Sequence, residues 1–235
     1  MARVAVVLAG CGRADGSEVH ESVSCLIHLA RVGASYRCFA PDGPQTDVVN
    51  HLTGEPAPET RNMLVEAARI ARGDIGPLSE LRVEEFDAVV FPGGFGAAKN
   101  LCTFAKDGEN CAVDTDVERV VKGFHSAGKP VGMCCIAPVI GARVLGKARG
   151  GPGVQVTIGD DAGTAQAIGR MGSTNVPRAV TEAAVDEANR LATTPAYMYG
   201  EASPWEVYRG IGEMIERTLA MVQGQRERRR EAQPA

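Results

Sequence analysis

Apolar, β-branched runs alternate along this chain with amphipathic stretches of helical period. Arg3 to Ala9 reads as a first strand and Ser17 to Val32 as a helix. Ser35 to Ala40 reads as a second strand, closed by Pro41-Asp42-Gly43-Pro44, and Asn62 to Arg72 is spaced as a helix. Phe86 to Phe91 is a buried strand ending in Pro92-Gly93-Gly94, and Asp114 to Ala127 a further helix. Such alternation implies an α/β fold, a mostly parallel sheet covered by helices on both faces. Ligands of such sheets sit at the carboxyl ends of the strands.

Beyond residue 150 the rhythm changes. Val154 to Ile158 reads as a short strand and Ala165 to Met171 as a short helix. Val180 to Thr194 alternates around Asp186-Glu187-Ala188-Asn189 as a hairpin. The last helix opens with Ser203-Pro204-Trp205-Glu206: serine at N-cap, proline at N1 and glutamate at N3 make a capping box. Ile211, Met214, Ile215, Leu219 and Val222 share one of its faces. With no repeat and no linker, residues 1–223 read as a single domain. Residues 224–235, with Arg226, Arg228, Arg229 and Arg230, read as a flexible basic tail.

The most informative stretch is Val131-Gly132-Met133-Cys134-Cys135-Ile136-Ala137-Pro138. A short strand ends at a cysteine, and a helix-like segment from Ile136 to Leu145 follows at once. A sharp strand-to-helix bend presents the residue at its corner, as in a nucleophile elbow. A thiol there meets a helix N-terminus, which favours thiolate. Cys135 therefore points to nucleophilic chemistry or to a redox sensor.

Composition narrows the field. A net charge of −4 argues against a nucleic-acid footprint, and no apolar stretch reaches the length of a membrane span. Neither nucleic acid nor membrane is expected as a partner. Met1 leads directly into a strand-like run, so the expected location is the cytoplasm, or the mitochondrion if a presequence has been removed. The seven cysteines (Cys11, Cys25, Cys38, Cys102, Cys111, Cys134 and Cys135) show no disulfide spacing, no C-x-x-C pair and no clustered Cys/His set. They read as mostly buried free thiols, and neither a metal nor a cofactor is expected.

Other motifs qualify the elbow. Gly10-Cys11-Gly12-Arg13-Ala14-Asp15-Gly16 resembles a dinucleotide fingerprint, but Asp15 stands at the third glycine position and would oppose a pyrophosphate. It reads as a glycine-rich strand-to-helix loop. Gly93-Gly94 lets backbone N–H groups approach a ligand or a developing oxyanion, though a tight turn alone would use the same residues. Glu18 and Glu21 lie three apart at the start of a helix. Glu18 reads as dipole-stabilising surface charge, and Glu21 as a partly buried carboxyl able to stay protonated beside a thiolate. His20, His28, His51 and His125 all precede the elbow, and Ile136 follows it. A Cys-His dyad is therefore disfavoured, and His125 reads as structural. Cys134 points away from Cys135 on the strand and reads as core, which leaves Cys11 as the candidate resolving thiol.

Taken together these residues resemble the superfamily of the parkinsonism-associated deglycase, the PfpI peptidases and the class I glutamine amidotransferases. Within it they look most like the ElbB glyoxalase family and its mitochondrial-type relatives. The carriers are Gly10-Cys11-Gly12, Asp15-Gly16-Ser17-Glu18, Phe39-Ala40-Pro41-Asp42, Asn50 to Glu55, Pro92 to Asn100, Cys135-Ile136-Ala137-Pro138 and Thr193 to Tyr197. The resemblance implies a flavodoxin-like three-layer α/β sandwich, a homodimer, Cys135 as nucleophile and Glu21 as its carboxyl partner. It also implies an oxyanion site at Gly94 and Ile136, beside Gly93, and a pocket lined by Thr194 and Pro195. The missing histidine sets the chain apart from the peptidase branch.

The expected activity is a cofactor-independent glyoxalase that converts small reactive carbonyls, glyoxal or methylglyoxal, to 2-hydroxy acids through a Cys135 hemithioacetal. Apparent deglycation of proteins would follow from the same aldehyde chemistry. The competing expectation is a non-enzymatic redox or metabolite sensor with an oxidisable Cys135. A purely structural or partner-binding member of the fold is the third.

Overall fold

A computed structural model describes the backbone of residues 1–231 and the side chains through Gly224. The first half builds most of a parallel sheet: β1 (Arg3–Val7), α1 (Val19–Arg31), β2 (Ser35–Ala40), α2 (Met63–Ala71), β3 (Ile75–Pro77) and β4 (Ala88–Phe91). Next come α3 (Phe95–Lys99), α4 (Phe104–Asp107), α5 (Thr115–Ser126), β5 (Val131–Cys134) and α6 (Pro138–Leu145). The remainder is β6 (Gln155–Val156), α7 (Ala162–Arg170), β7 (Thr174–Asn175), β8 (Ala184–Asp186), β9 (Leu191–Thr194) and α8 (Pro204–Glu231). Seven strands form one sheet in the order β3-β2-β1-β4-β5-β9-β8, and β6 and β7 form a separate pair. Every neighbour in the large sheet is parallel except the hairpin β8–β9.

Strand alternation sorts the core into two layers. Ala5, Val7, Val89, Phe91, Val131 and Met133 pack with α5 and α6 through Val120, Phe124 and Ile140. Val4, Val6, Ala88, Val90 and Ala192 face the other way, against Leu29 of α1, Ala67 of α2 and Ile211 and Ile215 of α8. The fold is thus a flavodoxin-like α/β sandwich. Among the described residues, no helix is long and apolar enough to cross a membrane.

Local chemistry moves several boundaries. Ala9 leaves the β1 ladder because its N–H donates to Ser17 Oγ at 2.8 Å. With that hydroxyl engaged, Glu18 caps α1 instead, and its Oε2 accepts the Glu21 N–H at 2.7 Å. Ser203 and Glu206 form the expected reciprocal cap. The α8 backbone runs on to Glu231, into the segment expected as a flexible tail; residues 232–235 lie outside the described residues.

The elbow differs more. Strand β5 stops at Cys134, Cys135 takes a left-handed backbone at φ +58°, and α6 starts only at Pro138, which suits the first helical position. Cys135 is not exposed as the bend suggested: only 8% of its surface is accessible. A non-glycine residue at such φ costs about 1–3 kcal/mol, a strain the surrounding packing must hold. Cys135 N–H donating to Thr194 O at 3.0 Å is one of the bonds that hold it.

Candidate active site

Three chain segments converge behind Cys135. The first turn of α1 brings Glu21, the β4–α3 turn brings Gly93 and Gly94, and the segment after β9 brings Tyr197. Glu21 is fully buried. Its Oε2 accepts the Gly93 N–H at 3.0 Å and its Oε1 the Tyr197 N–H at 3.2 Å. Its carboxyl also shares a hydrogen bond with the Cys135 thiol, and the Cys134 thiol donates to Oε2 at 3.8 Å. Ala196, which delivers the Tyr197 amide, is also left-handed at φ +46°. Two strained residues thus flank one carboxyl, the kind of cost concentrated at functional sites.

Glycine is required at 93. A Cβ there would lie 2.4 Å from Cys135 Cβ and 2.6 Å from Glu21 Oε2. Gly94 has φ +92°, and a side chain on it would strike the Glu18 amide and the Gly16 carbonyl. The backbone N–H groups of Gly94 and Ile136 both point at the Cys135 sulfur.

Electrostatics reverse one expectation. Burial, and then the Glu21 charge, push the Cys135 thiol well above its ordinary range, against the two N–H groups of Gly94 and Ile136. Cys135 is therefore a thiol at neutral pH and not a preformed thiolate. Burial and the carboxyl beside the sulfur outweigh the backbone N–H groups that favour thiolate. Glu21 is pushed up to about 7, by burial first and the nearby Glu18 charge second, against the bonds from Tyr197, Cys135 and Gly93. A carboxyl poised near neutrality can take a proton from the thiol as sulfur attacks and return it afterwards.

Above the thiol lies a cavity of about 410 Å³, lined by Gly94, Phe95, Phe104, Ile136, Tyr197 and Met198, with Arg13 and Glu18 also on its wall. Cys135, Glu21, Gly93, Gly94 and Ile136 come together as expected. Thr194 and Pro195 do not line the cavity. The Thr194 carbonyl holds the elbow, while its hydroxyl turns away to donate to Glu182 O at 2.9 Å. Tyr197 and Met198 take that wall because the turn after Pro195 swings them forward. Glu18 is buried, not surface charge, although it does cap α1. Cys11 lines a separate groove with Val23 and Ile27. The Gly10–Gly16 loop is closed by buried Asp15, which accepts the Val49 N–H at 2.8 Å, in keeping with a structural loop.

Sequence reading gave no site role to Tyr197, quoted only as the end of a family motif, or to His20, set aside as a base for Cys135. Tyr197 Oη and His20 Nδ1 are 2.8 Å apart, with Glu18 Oε1 4.0 Å from the same nitrogen. His20 lies one position from Glu21, but nothing local announces Tyr197. His125 hydrogen-bonds Asn189 Oδ1 at 3.3 Å, as befits a structural residue. Among the described residues, no group of three or more His, Cys, Asp or Glu side chains is arranged to hold a metal.

The fold and this elbow are those of a glutamine amidotransferase-like class 1 domain. An isoprenoid biosynthesis protein with an amidotransferase-like domain from Ehrlichia chaffeensis superposes with TM-score 0.88 at 38% identity, over 94% of this chain and 100% of that one. A DJ-1 superfamily protein from Salmonella typhimurium shares the fold at TM-score 0.54 and 24% identity, over 97% of each chain. No protein-family model matches the chain. More narrowly, the chain is 49% identical to the mitochondrial ES1 protein homolog of Rattus norvegicus, over 94% of its length and 84% of the relative's. It is 50% identical to the human mitochondrial glutamine amidotransferase-like class 1 domain-containing protein 3, over 94% and 83% respectively. The chain belongs to this ES1 family of glutamine amidotransferase-like class 1 domain proteins.

Proposed function

We propose that this protein is a cofactor-independent glyoxalase of the ElbB type, acting on glyoxal and methylglyoxal. The observation that carries the reading is the hydrogen-bonded pair of buried Cys135 and a Glu21 poised near pH 7. As the sulfur adds to the aldehyde carbon, its proton passes to ionised Glu21. The Gly94 and Ile136 N–H groups hold the resulting oxyanion, as an oxyanion hole does. Glu21 returns the proton to give a hemithioacetal. The carboxylate then removes the hydrogen from the former aldehyde carbon, and the adjacent carbon is reprotonated. The product is a thioester of a 2-hydroxy acid. Water cleaves it, releasing the acid and restoring the thiol.

Cys135 as an oxidation sensor is the weaker reading, because oxidation needs thiolate and the site suppresses it. The relatives' mitochondrial designation extends to this chain as part of the same proposal. Purified protein given glyoxal without glutathione should form glycolate, and Cys135→Ala should not. Equal acid production by both proteins would overturn the proposal.

A further inference from the structure

Two other thiols meet beneath the cavity wall. Cys102 and Cys111 bracket the segment 103–110, and both are buried in the core layer of α5 and α6. The ends of this segment run antiparallel. Cys102 bridges Val113, Thr103 N–H donates to Ala112 O at 2.9 Å, and Asp114 N–H donates to Leu101 O at 3.0 Å. The two side chains interact within this pairing, and the Cys102 thiol donates to Ala97 O at 3.2 Å. Arg143 Nε donates to Cys111 O at 2.7 Å, which sets a guanidinium beside the pair. The neighbouring Cys102 thiol lowers Cys111 from the ordinary thiol range, and the Arg143 charge acts the same way against burial. A paired thiol with a cation nearby is the setting that favours thiolate.

Their cover is thin. It consists of the single turn α4 and a short 3₁₀ turn (Gly108–Asn110), with Ala105, Lys106, Asp107 and Asn110 exposed. Segments with so little buried apolar contact open at low cost, and opening this one uncovers both sulfurs. Phe104 and Ala105 of the same turn form part of the wall around Cys135.

We propose that Cys102 and Cys111 form a reversible dithiol–disulfide site for low-molecular-weight disulfides of the glutathione class, and that the closed bond pins the 103–110 wall of the Cys135 cavity. The Cys111 thiolate attacks one sulfur of the small disulfide, forms a mixed disulfide and expels a small thiolate. Cys102 gives its proton to that thiolate and attacks the Cys111 sulfur. The Cys102–Cys111 bond forms and the second small group leaves as a thiolate, which takes a proton from water. Two electrons pass from the protein dithiol to the small disulfide. This site is independent of the glyoxalase reading.

The test uses the full chain with oxidised glutathione, acid quenching, alkylation and tryptic mapping. Trypsin cuts after Lys106, so the expected product is Asn100–Lys106 linked to Asp107–Arg119, reversed by dithiothreitol and lost in Cys111→Ser. Recovery of both cysteines as alkylated thiols, or as unresolved glutathione adducts, would overturn the site. The wild-type map decides this even if the variant fails to fold. Native alkylation of Cys135 should slow several-fold once the disulfide closes, and an unchanged rate would overturn the pinning.

Discussion

Cys135 and Cys111 are both buried cysteines a few residues before a helix, one in each of the two core layers, and their environments drive them further apart. Cys135 faces a carboxyl and stays protonated, whereas Cys111 sits beside a second thiol and Arg143 and is drawn below the ordinary thiol range. The neighbour, more than the elbow, sets the chemistry. A thiol beside a carboxyl is built to lose its proton during attack on a carbonyl. A thiol beside another thiol is built to make a disulfide.

The contrast breaks most sharply by deletion. Cys135→Ala should lower glyoxal turnover by roughly a thousandfold or more, as loss of a covalent nucleophile does. Cys111→Ser should keep turnover within an order of magnitude, so equal losses in steady-state assays would erase the distinction. Glu21→Gln comes next: it keeps the shape but cannot take the thiol proton. We expect kcat/KM to fall about a hundredfold, within the range of a lost general base.

Much of this contrast was legible in the sequence. The strand–helix alternation, the hairpin around Asp186 to Asn189 and the Ser203 cap are local patterns, and they stand in the fold. Cys135 and Glu21 were also readable, because each sits at a recognisable place on its element. Burial was not. The thiol's protonation comes from burial and from the Glu21 carboxyl brought up by a distant helix, against the N–H groups of Gly94 and Ile136. Tyr197 was hidden for the same reason, since its amide reaches Glu21 across 176 positions of chain. The meeting of Cys102 and Cys111 is likewise set by loop pairing that no periodicity reports.

Smaller changes sharpen the account. Gly93→Ala forces a methyl group into the Cys135–Glu21 contact and should destabilise the fold by about 1–3 kcal/mol, the usual cost of overpacking. Thermal or urea unfolding would show it, and an unchanged midpoint would mean the close approach relaxes freely. The least effect is expected for Tyr197→Phe. It removes the hydrogen bond to exposed His20, leaves the Tyr197 amide on Glu21, and should cost about 1 kcal/mol or less. A larger loss of turnover than of stability would place the hydroxyl in the reaction itself.

The most direct measurement is the pH dependence of glyoxal turnover without glutathione, in wild type and in Glu21→Gln. Ionised Glu21 is the acceptor, so activity should be low in acid and rise with pH through an inflection near 7. That inflection should be absent from Glu21→Gln. A rise only in the ordinary thiol range near 9, or the same inflection near 7 in Glu21→Gln, would contradict carboxyl-assisted attack by Cys135.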